Sequence, residues 1–453
     1  VCGVLLKTST EQWELQWLCP DAKLASINGE PISASTWLQD VAAAADWLNE
    51  QKGDALLYQR DWYRFSVWFF ALLESKKRII LPANDKPATL SELSSQYAFR
   101  VPEELPSKGR SDAPSLILKG DLDSPLTFFT SGSSGKPKAV EKTLRQLWVE
   151  VETLEQTFSD KLGQTDILAT VTHQHIYGLL FTVLWPLAAG RSVTLPLVDY
   201  PEQLQQLLAK ADGRRYALVS SPAHLQRLDN LPQLSQHKNA LTMVFSSGGP
   251  LPGSVPNNFA DNELQAPIEV YGSTETGGIA WRQRNPGASD SFKPLAGIEV
   301  SCDNNDILVI QSPYLKEPQR SYTTEDKVQL QGQGCFLLLG RQDRVTKIAE
   351  KRVSLNEVEQ FIQQHEWVES AKACVLHSPR VELGLVLVLN SAGNAELNAQ
   401  GRFKVRQELR HHLQQRFEKV VVPKRFRYVE QLPYNGAGKV TQADLQALFE
   451  EEK

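Results

Sequence analysis

Apolar positions along the chain change period several times, and those changes lay out the fold. Ser33 and Ser35 stand ready to cap a helix whose apolar residues Trp37, Val41, Ala44 and Leu48 recur every three to four positions. The short apolar runs 55–58 and 78–81 flank an aromatic helical stretch from Trp62 to Leu73. Strand, helix, strand in that order implies parallel pairing with a crossover. The neighbouring aromatics Trp62, Tyr63, Phe65 and Trp68 read as core. A long helix is expected from Leu144 to Phe158, and further strands at 167–171, 193–197, 217–220, 241–245 and 268–271. Several of these end in polar or glycine-rich turns, where open α/β sheets place their ligands.

Beyond Gly297 the texture shifts to short hairpins, with turns at 304–306 and 332–334. From Leu355 a compact tail follows: helix, two strands (371–376 and 383–389), a helix from Phe403 to Phe417, a strand at 426–429 and a last helix. The expected fold is α/β. A large N-terminal domain, residues 1–340, has β-sheets flanked by helices and a small β-structured subdomain at about 297–340. A small mobile α+β domain, residues 341–453, completes it.

At 453 residues the chain exceeds one ordinary core. Hydrophobic content of 41% and charged content of 22% are globular values, and a net charge of -5 argues against nucleic acid as the main partner. The five cysteines (Cys2, Cys19, Cys302, Cys335, Cys374) show no CxxC and no metal spacing, so they read as reduced thiols of a cytoplasmic protein. The most apolar patch, Tyr177 to Gly190, is broken by Thr182 and Pro186, and no membrane span or N-terminal signal is expected.

The chemistry concentrates in Leu126 to Val140, LTFFTSGSSGKPKAV. An apolar run breaks into the hydroxyls of Thr130, Ser131, Ser133 and Ser134, the glycines Gly132 and Gly135, and the ammonium groups of Lys136 and Lys138. Small residues leave backbone N–H groups free to face an anion, which suits a polyphosphate. A Walker-type loop is excluded: it needs glycine where Thr130 stands and a hydroxyl residue where Pro137 follows Lys136.

Three further segments follow in order: YGSTETGG (Tyr271 to Gly278), GRQDRVTKIAEKRVSLNEVE (Gly340 to Glu359) and PYNGAGK (Pro433 to Lys439). Together with TSGSSGKPK they resemble the signature blocks of the acyl-adenylate-forming superfamily, across nearly the whole chain. That group comprises acyl-CoA synthetases, adenylation domains of peptide synthetases, and luciferases. The resemblance implies activation of a small carboxylic acid, aryl or acyl, with ATP and Mg²⁺, then transfer to the thiol of an acyl carrier protein or CoA. By resemblance, Thr130 to Lys138 hold the pyrophosphate part of ATP. Tyr271 offers a face to adenine within the nucleotide-binding run Tyr271, Gly272, Ser273. Thr274 lies near the α-phosphate, and Glu275 supplies a hard oxygen for Mg²⁺. Gly248 and Gly249, in SGGP, line the adenine and acyl pocket. Asp326 takes the ribose hydroxyls with Arg341, although Thr324-Glu325 precede it where the family has Thr-Gly. Lys439 would contact the carboxylate and α-phosphate as charge develops, and Asp343 falls at the interdomain hinge. The segment THQHIYG places His175, Tyr177 and Gly178 at the acyl pocket, with His175 gating the carboxylate.

Two departures stand out. Glu350 stands where the family has glycine beside the pantetheine path, which bears on the thiol step, and Ala139 replaces a glycine after the Pro-Lys pair, which should narrow loop freedom only slightly. A basic run from Arg402 to Arg427 suits an acidic carrier protein or the phosphates of CoA. In texture the N-terminal half is similar to the small AMP-ligases of bacterial aryl-polyene clusters. An inactive nucleotide-binding regulator is the alternative from another class.

Overall fold

The computed structural model describes residues 4–107, 115–131, 137–228, 234–341, 344–348, 351–377, 381–435 and 439–450. The chain divides into two compact units: Val1–Glu299 with Gln311–Ser321, and Val300–Ile310 with Tyr322–Lys453. The hairpin segment near 297–340 thus groups largely with the C-terminal residues, and position 340/341 lies inside the strand Phe336–Arg341.

The first unit is built on a nine-stranded sheet. Across it run Lys293–Pro294, Gly277–Gln283, Ile268–Ser273, Leu241–Ser246, Tyr216–Ser220, Asp166–Ala169, Val193–Leu195, Lys23–Ile27 and Glu30–Ser33. The six strands from Ile268–Ser273 to Lys23–Ile27 are parallel, and the edges are antiparallel. Near-continuous apolar strands such as Tyr216–Ser220, buried at every position, are what a sheet covered on both faces requires. A five-stranded sheet holds the expected 55–56 and 79–81 pair in parallel, and adds Phe99–Arg100, Pro125–Ser131 and Pro137–Thr143. A third, antiparallel sheet joins Val4–Thr8, Gln12–Trp17 and Ile117–Asp121.

The helices follow the sequence pattern closely. Ser33 caps Ala34–Asn49 by accepting from the Thr36 amide, and Trp37, Val41, Ala44 and Leu48 are all buried. Asp61 caps Trp62–Glu74; Trp62, Phe65 and Trp68 are core, whereas Tyr63 is half-buried and donates to Asp40 at 2.6 Å. Trp13 and Trp37 meet Phe70 edge to face, and Trp148 packs tilted against Trp13.

In the second unit, Glu299–Cys302, Ile307–Gln311, Tyr322–Leu330 and Phe336–Arg341 form a four-stranded sheet, and Val345–Ile348 pairs with Lys351–Ser354. Val368–Leu376, Glu382–Leu389 and Arg425–Tyr428 carry the helices Leu355–Ile362, Ser391–Gln414 and Gln442–Ala447. The helix Ser391–Gln414 starts earlier than its apolar period suggests. Asn390 caps it at the Gly393 amide, and Gly401, at φ +79°, breaks it into two segments. Only the second carries the apolar face Val405, Leu409, Leu413.

Two further differences concern composition. Cys19 is disulfide-bonded, so the expectation of five reduced thiols fails there, while Cys302, Cys335 and Cys374 are free. Bridging depends on Cα separation in the fold, which spacing in sequence does not reveal. The patch from Tyr177 to Gly190 is a helix with a π-turn, Leu179–Leu184, and among the described residues no helix is long and apolar enough to cross a membrane.

Candidate active site

The stretch expected to hold polyphosphate is flanked by two paired strands. Pro125–Ser131 pairs antiparallel with Pro137–Thr143, with Thr130 opposite Lys138 and Ser131 opposite Pro137. Gly132, Ser133, Ser134, Gly135 and Lys136 lie outside the described residues, as do Asp343, Glu350 and residues 436–438. Of Ser131 only the backbone is described. Lys138 leaves the hairpin and bonds Glu275 at 2.6 Å, so two blocks 137 residues apart in sequence meet.

Glu275 sits in a turn between Ile268–Ser273 and Gly277–Gln283. Gly272 is required there: a Cβ on it would lie 2.2 Å from the Gly277 carbonyl. Thr276, buried, closes the turn by accepting from the Ser273 amide at 3.1 Å and donating to Gly277 O at 2.8 Å. Half-burial works to raise the Glu275 carboxyl. The Lys138 bond, a backbone amide and Ser273 outweigh it and hold the group below the ordinary carboxylate range. Thr274 is partly exposed beside it, and Tyr271 is half-buried with its ring 5.6 Å from Phe292.

Beneath this turn lie buried charges that the sequence reading passed over. Lys142 Nζ donates to the carbonyls of Glu275 (2.7 Å) and Tyr314 (3.1 Å). Glu150 accepts from the Gly278 amide at 2.7 Å. Burial pushes Lys142 down to about 8 and Glu150 up to about 7. The signal was present: Lys142 shares a strand face with Lys138, and Glu150 interrupts the apolar face of the helix Leu144–Leu162.

The acyl-pocket candidates occupy the segment after Asp166–Ala169. His173 is wholly buried, its Nε2 2.8 Å from Gln59 O, and Gln174 donates to the same carbonyl at 2.7 Å. Burial pushes the His173 imidazole down to about 4. These bonds anchor the segment and leave the next residue but one, His175, partly exposed at a helix start. Gly178 has a packing reason: a Cβ there would meet the Thr172 carbonyl at 1.9 Å. The Tyr177 hydroxyl is buried with no partner in hydrogen-bond geometry among the described residues, and burial raises its phenol well above the ordinary value. Its ring packs on Phe181, which meets Phe245 and Trp185. The π-turn arises nearby, where Thr182 O accepts from Trp62 Nε1 at 2.8 Å and its hydroxyl donates to Gly178 O. Gly248, at φ +92°, follows Leu241–Ser246, and Ser247 ties that loop to Val270 O at 2.8 Å.

The remaining candidates lie in the second unit. Asp326 and Arg341 are register partners on adjacent strands, and Arg341 ion-pairs with Glu325. The Glu325 that departs from the family pattern therefore has a partner of its own. Lys439 is exposed, and Asn435 bonds its backbone twice: the Asn435 amide donates to Lys439 O at 2.8 Å, and its side chain accepts from the Lys439 amide at 3.0 Å.

The donor set fits a magnesium nucleotide. Mg²⁺ is commonly held by one or two carboxylates plus substrate phosphates rather than by a protein cage. Among the described residues no group of three or more His, Cys, Asp or Glu could hold a metal, whereas Glu275 stays ionised beside a phosphate-seeking lysine. Hairpin and turn both stand at the C-terminal ends of parallel strands.

Comparison with known proteins agrees with this geometry. The family model described as AMP-binding enzyme matches residues 66–315, more than half the chain. The chain belongs to that family, and its chemistry is adenylate formation: a carboxylic acid and ATP give an acyl-adenylate and pyrophosphate. It is 26% identical over 323 residues to the 4-coumarate–CoA ligase of Cereibacter sphaeroides, covering 70% of each. It is 25% identical over 351 residues to the D-alanine–D-alanyl carrier protein ligase of Staphylococcus aureus, covering 71% of this chain and 70% of that one. Among solved structures, ATP-bound MatB from Rhodopseudomonas palustris shares the fold at a TM-score of 0.72 with 18% identity, over 96% of this chain and 97% of that one.

Proposed function

We propose that this enzyme loads a small aryl or acyl acid onto the phosphopantetheine thiol of an acyl carrier protein. A carboxylate oxygen attacks the α-phosphorus of ATP, the bond to the bridging oxygen breaks, and pyrophosphate leaves. The carrier thiolate then attacks the acyl carbon, and AMP departs. In this reading Glu275 would hold Mg²⁺, which would supply neutralisation of the phosphate charge. The hairpin from Thr130 to Lys138 holds the leaving pyrophosphate, Thr274 faces the α-phosphate, and Tyr271 packs on adenine. Asp326 and Arg341 take the ribose. His175, Tyr177, Gly178 and Gly248 line the acid's pocket. Lys439 must reach the carboxylate as the adenylate forms, with Asp343 as the pivot. Nucleotidyl transfer needs positioning and charge neutralisation more than a covalent catalyst, and these residue types supply both. The observation that carries the adenylation half is the Lys138–Glu275 pairing, which joins the phosphate hairpin to the acidic turn.

The choice of a carrier protein over free CoA rests on one face of the second unit. After the break at Gly401, Arg402, Arg406 and Arg410 follow at four-residue intervals, a like-charge row that costs a few tenths of a kcal/mol per pair, about 0.2–0.5. None of the three has a carboxylate ion-pair partner among the described residues. Phe403 beside them is 67% exposed, with the Arg406 guanidinium 5.7 Å from its ring centroid. An exposed aromatic among unpaired arginines suits an acidic protein surface. Arg416, Arg425 and Arg427, by contrast, are engaged with Glu357, Phe449 O and Leu448 O. An aryl acid and a cytoplasmic setting complete the reading, in keeping with the aryl-polyene ligase texture.

The test has two stages. Pyrophosphate exchange against a panel of aryl and fatty acids reads adenylation, and silence with every acid would favour the inactive regulator. Thioester formation with holo carrier protein is then compared with free CoA. Efficient turnover on CoA alone overturns the carrier assignment.

A further inference from the structure

Three polar side chains at four-residue spacing, Lys142, Gln146 and Glu150, are buried at the end of the hairpin and the start of the following helix. Burying them is costly unless each is fully bonded. All three are engaged at or beside the backbone that carries Glu275. Lys142 grips the Glu275 carbonyl on one side of the turn, and Glu150 grips the Gly278 amide on the other. Gln146 uses its amide oxygen on the Thr143 amide, capping the helix, and its NH₂ on Tyr314 O at 2.6 Å, the second acceptor of Lys142. The turn lies directly on the Glu150 carboxylate: a Cβ added at Gly277, where φ is +70°, would stand 2.4 Å from Oε2. Lys138, four residues before Lys142 on the same strand face, holds the Glu275 side chain itself. One strand thus grips both the carboxylate and the backbone of the same residue.

We propose that Lys142 and Glu150 are positioning residues for adenylation, locking the acidic turn onto the strand Pro137–Thr143 and the helix that follows it, so that Glu275 is presented to the magnesium nucleotide. This rests on Glu275 being the metal-facing carboxylate. Side chains that keep a donor or an acceptor on these peptide groups are suited to the task, because a buried peptide group left unbonded in a dry interior is costly. Neither group has to touch substrate.

The experiment pairs two substitutions at one site. Glu150→Gln keeps an oxygen acceptor for the Gly278 amide; Glu150→Leu removes it. ATP affinity is measured by calorimetry with and without Mg²⁺, alongside thermal stability and the Mg²⁺ dependence of pyrophosphate exchange. The expected result is that Glu150→Leu raises the half-saturating Mg²⁺ concentration roughly 10-fold or more and shrinks the Mg²⁺ enhancement of ATP binding, while Glu150→Gln stays within about 3-fold of wild type. Lys142→Met should resemble Glu150→Leu. If the variants lose thermal stability but the folded protein keeps wild-type Mg²⁺ dependence, the role is purely structural and the proposal fails. Should Lys142→Met not fold, the Glu150 pair decides alone, assayed well below its melting temperature. Glu275→Gln serves as the control: if it leaves Mg²⁺ dependence unchanged, the metal-facing reading of Glu275 has failed rather than the clamp.

Discussion

The turn that carries Glu275 and the segment that carries Lys439 are held in different ways. The first is gripped from below by buried side chains, closed by a buried threonine, and tight enough that two of its glycines have no room for a Cβ. Lys439 is exposed, and its backbone is bonded twice to Asn435. The contrast is intelligible if the two segments do different jobs. A site for a metal nucleotide gains from rigidity, because preorganised charge costs no reorganisation when the reaction occurs. A group that engages in one step and withdraws in the next gains from an exposed position.

The sharpest way to break this comparison is Lys439→Ala. Pyrophosphate exchange should fall at least ~1,000-fold, since a positive group aimed at developing charge is among the largest single contributions to such chemistry. ATP binding by calorimetry and the melting temperature should stay near wild type, because exposed positions seldom move stability by more than about 0.5 kcal/mol. A variant that still makes adenylate at a normal rate removes Lys439 from the mechanism. Next in size, Glu275→Gln should lower exchange by about 100-fold and raise the Mg²⁺ requirement. Its stability should change by no more than about 1 kcal/mol, since the Lys138 partner is 60% exposed and well screened. A large loss of stability with normal Mg²⁺ dependence would mean that the carboxylate serves the fold instead.

Gly272→Ala tests the rigidity directly. The added methyl must displace the Gly277 carbonyl, so we expect a loss of about 1–3 kcal/mol in denaturant unfolding together with impaired Mg²⁺-dependent ATP binding. If stability falls and nucleotide binding does not, the tight turn is a folding feature only.

What could be read without coordinates follows the same division. The parallel sheet was legible because its strands are short, largely apolar and spaced by helices, one with a local capping signal at Ser33. Thr130 and Lys138 were legible from local composition, Thr274 and Glu275 from resemblance to a family block, and the structure brings Lys138 and Glu275 together. Lys142 and Glu150 left only a face position as a signal, because their significance lies in which backbone atoms they reach, 133 and 128 positions away; Thr276 left none. The grouping of the 300–341 hairpins with the C-terminal residues was likewise invisible, since hairpin texture carries no information about its neighbours. The helix start at Ser391 was missed because a polar, exposed first segment has no apolar period to detect.

The smallest expected effect concerns acid, and it follows from His173. This imidazole is wholly buried in the first unit, where burial holds it at about 4, against about 6.5 in an unfolded chain. Between those values the unfolded chain binds a proton that the native protein refuses, so stability rises with pH through the window and is lost as pH falls through it. From pH 7 to 5.5 the loss from this one group is about 1 kcal/mol. His173→Gln, which keeps a donor for Gln59 O, should flatten the decline of melting temperature over that range whatever it does to the stability at neutral pH. An unchanged slope would show that the histidine is not held neutral. The Asn435–Lys439 pairing makes the counterpart prediction: Asn435→Ala should leave the acid slope as it is in wild type, because neither of the two bonds between these residues involves a group that titrates between pH 5.5 and 7. Acid sensitivity would then map onto the buried, anchored half of the machinery.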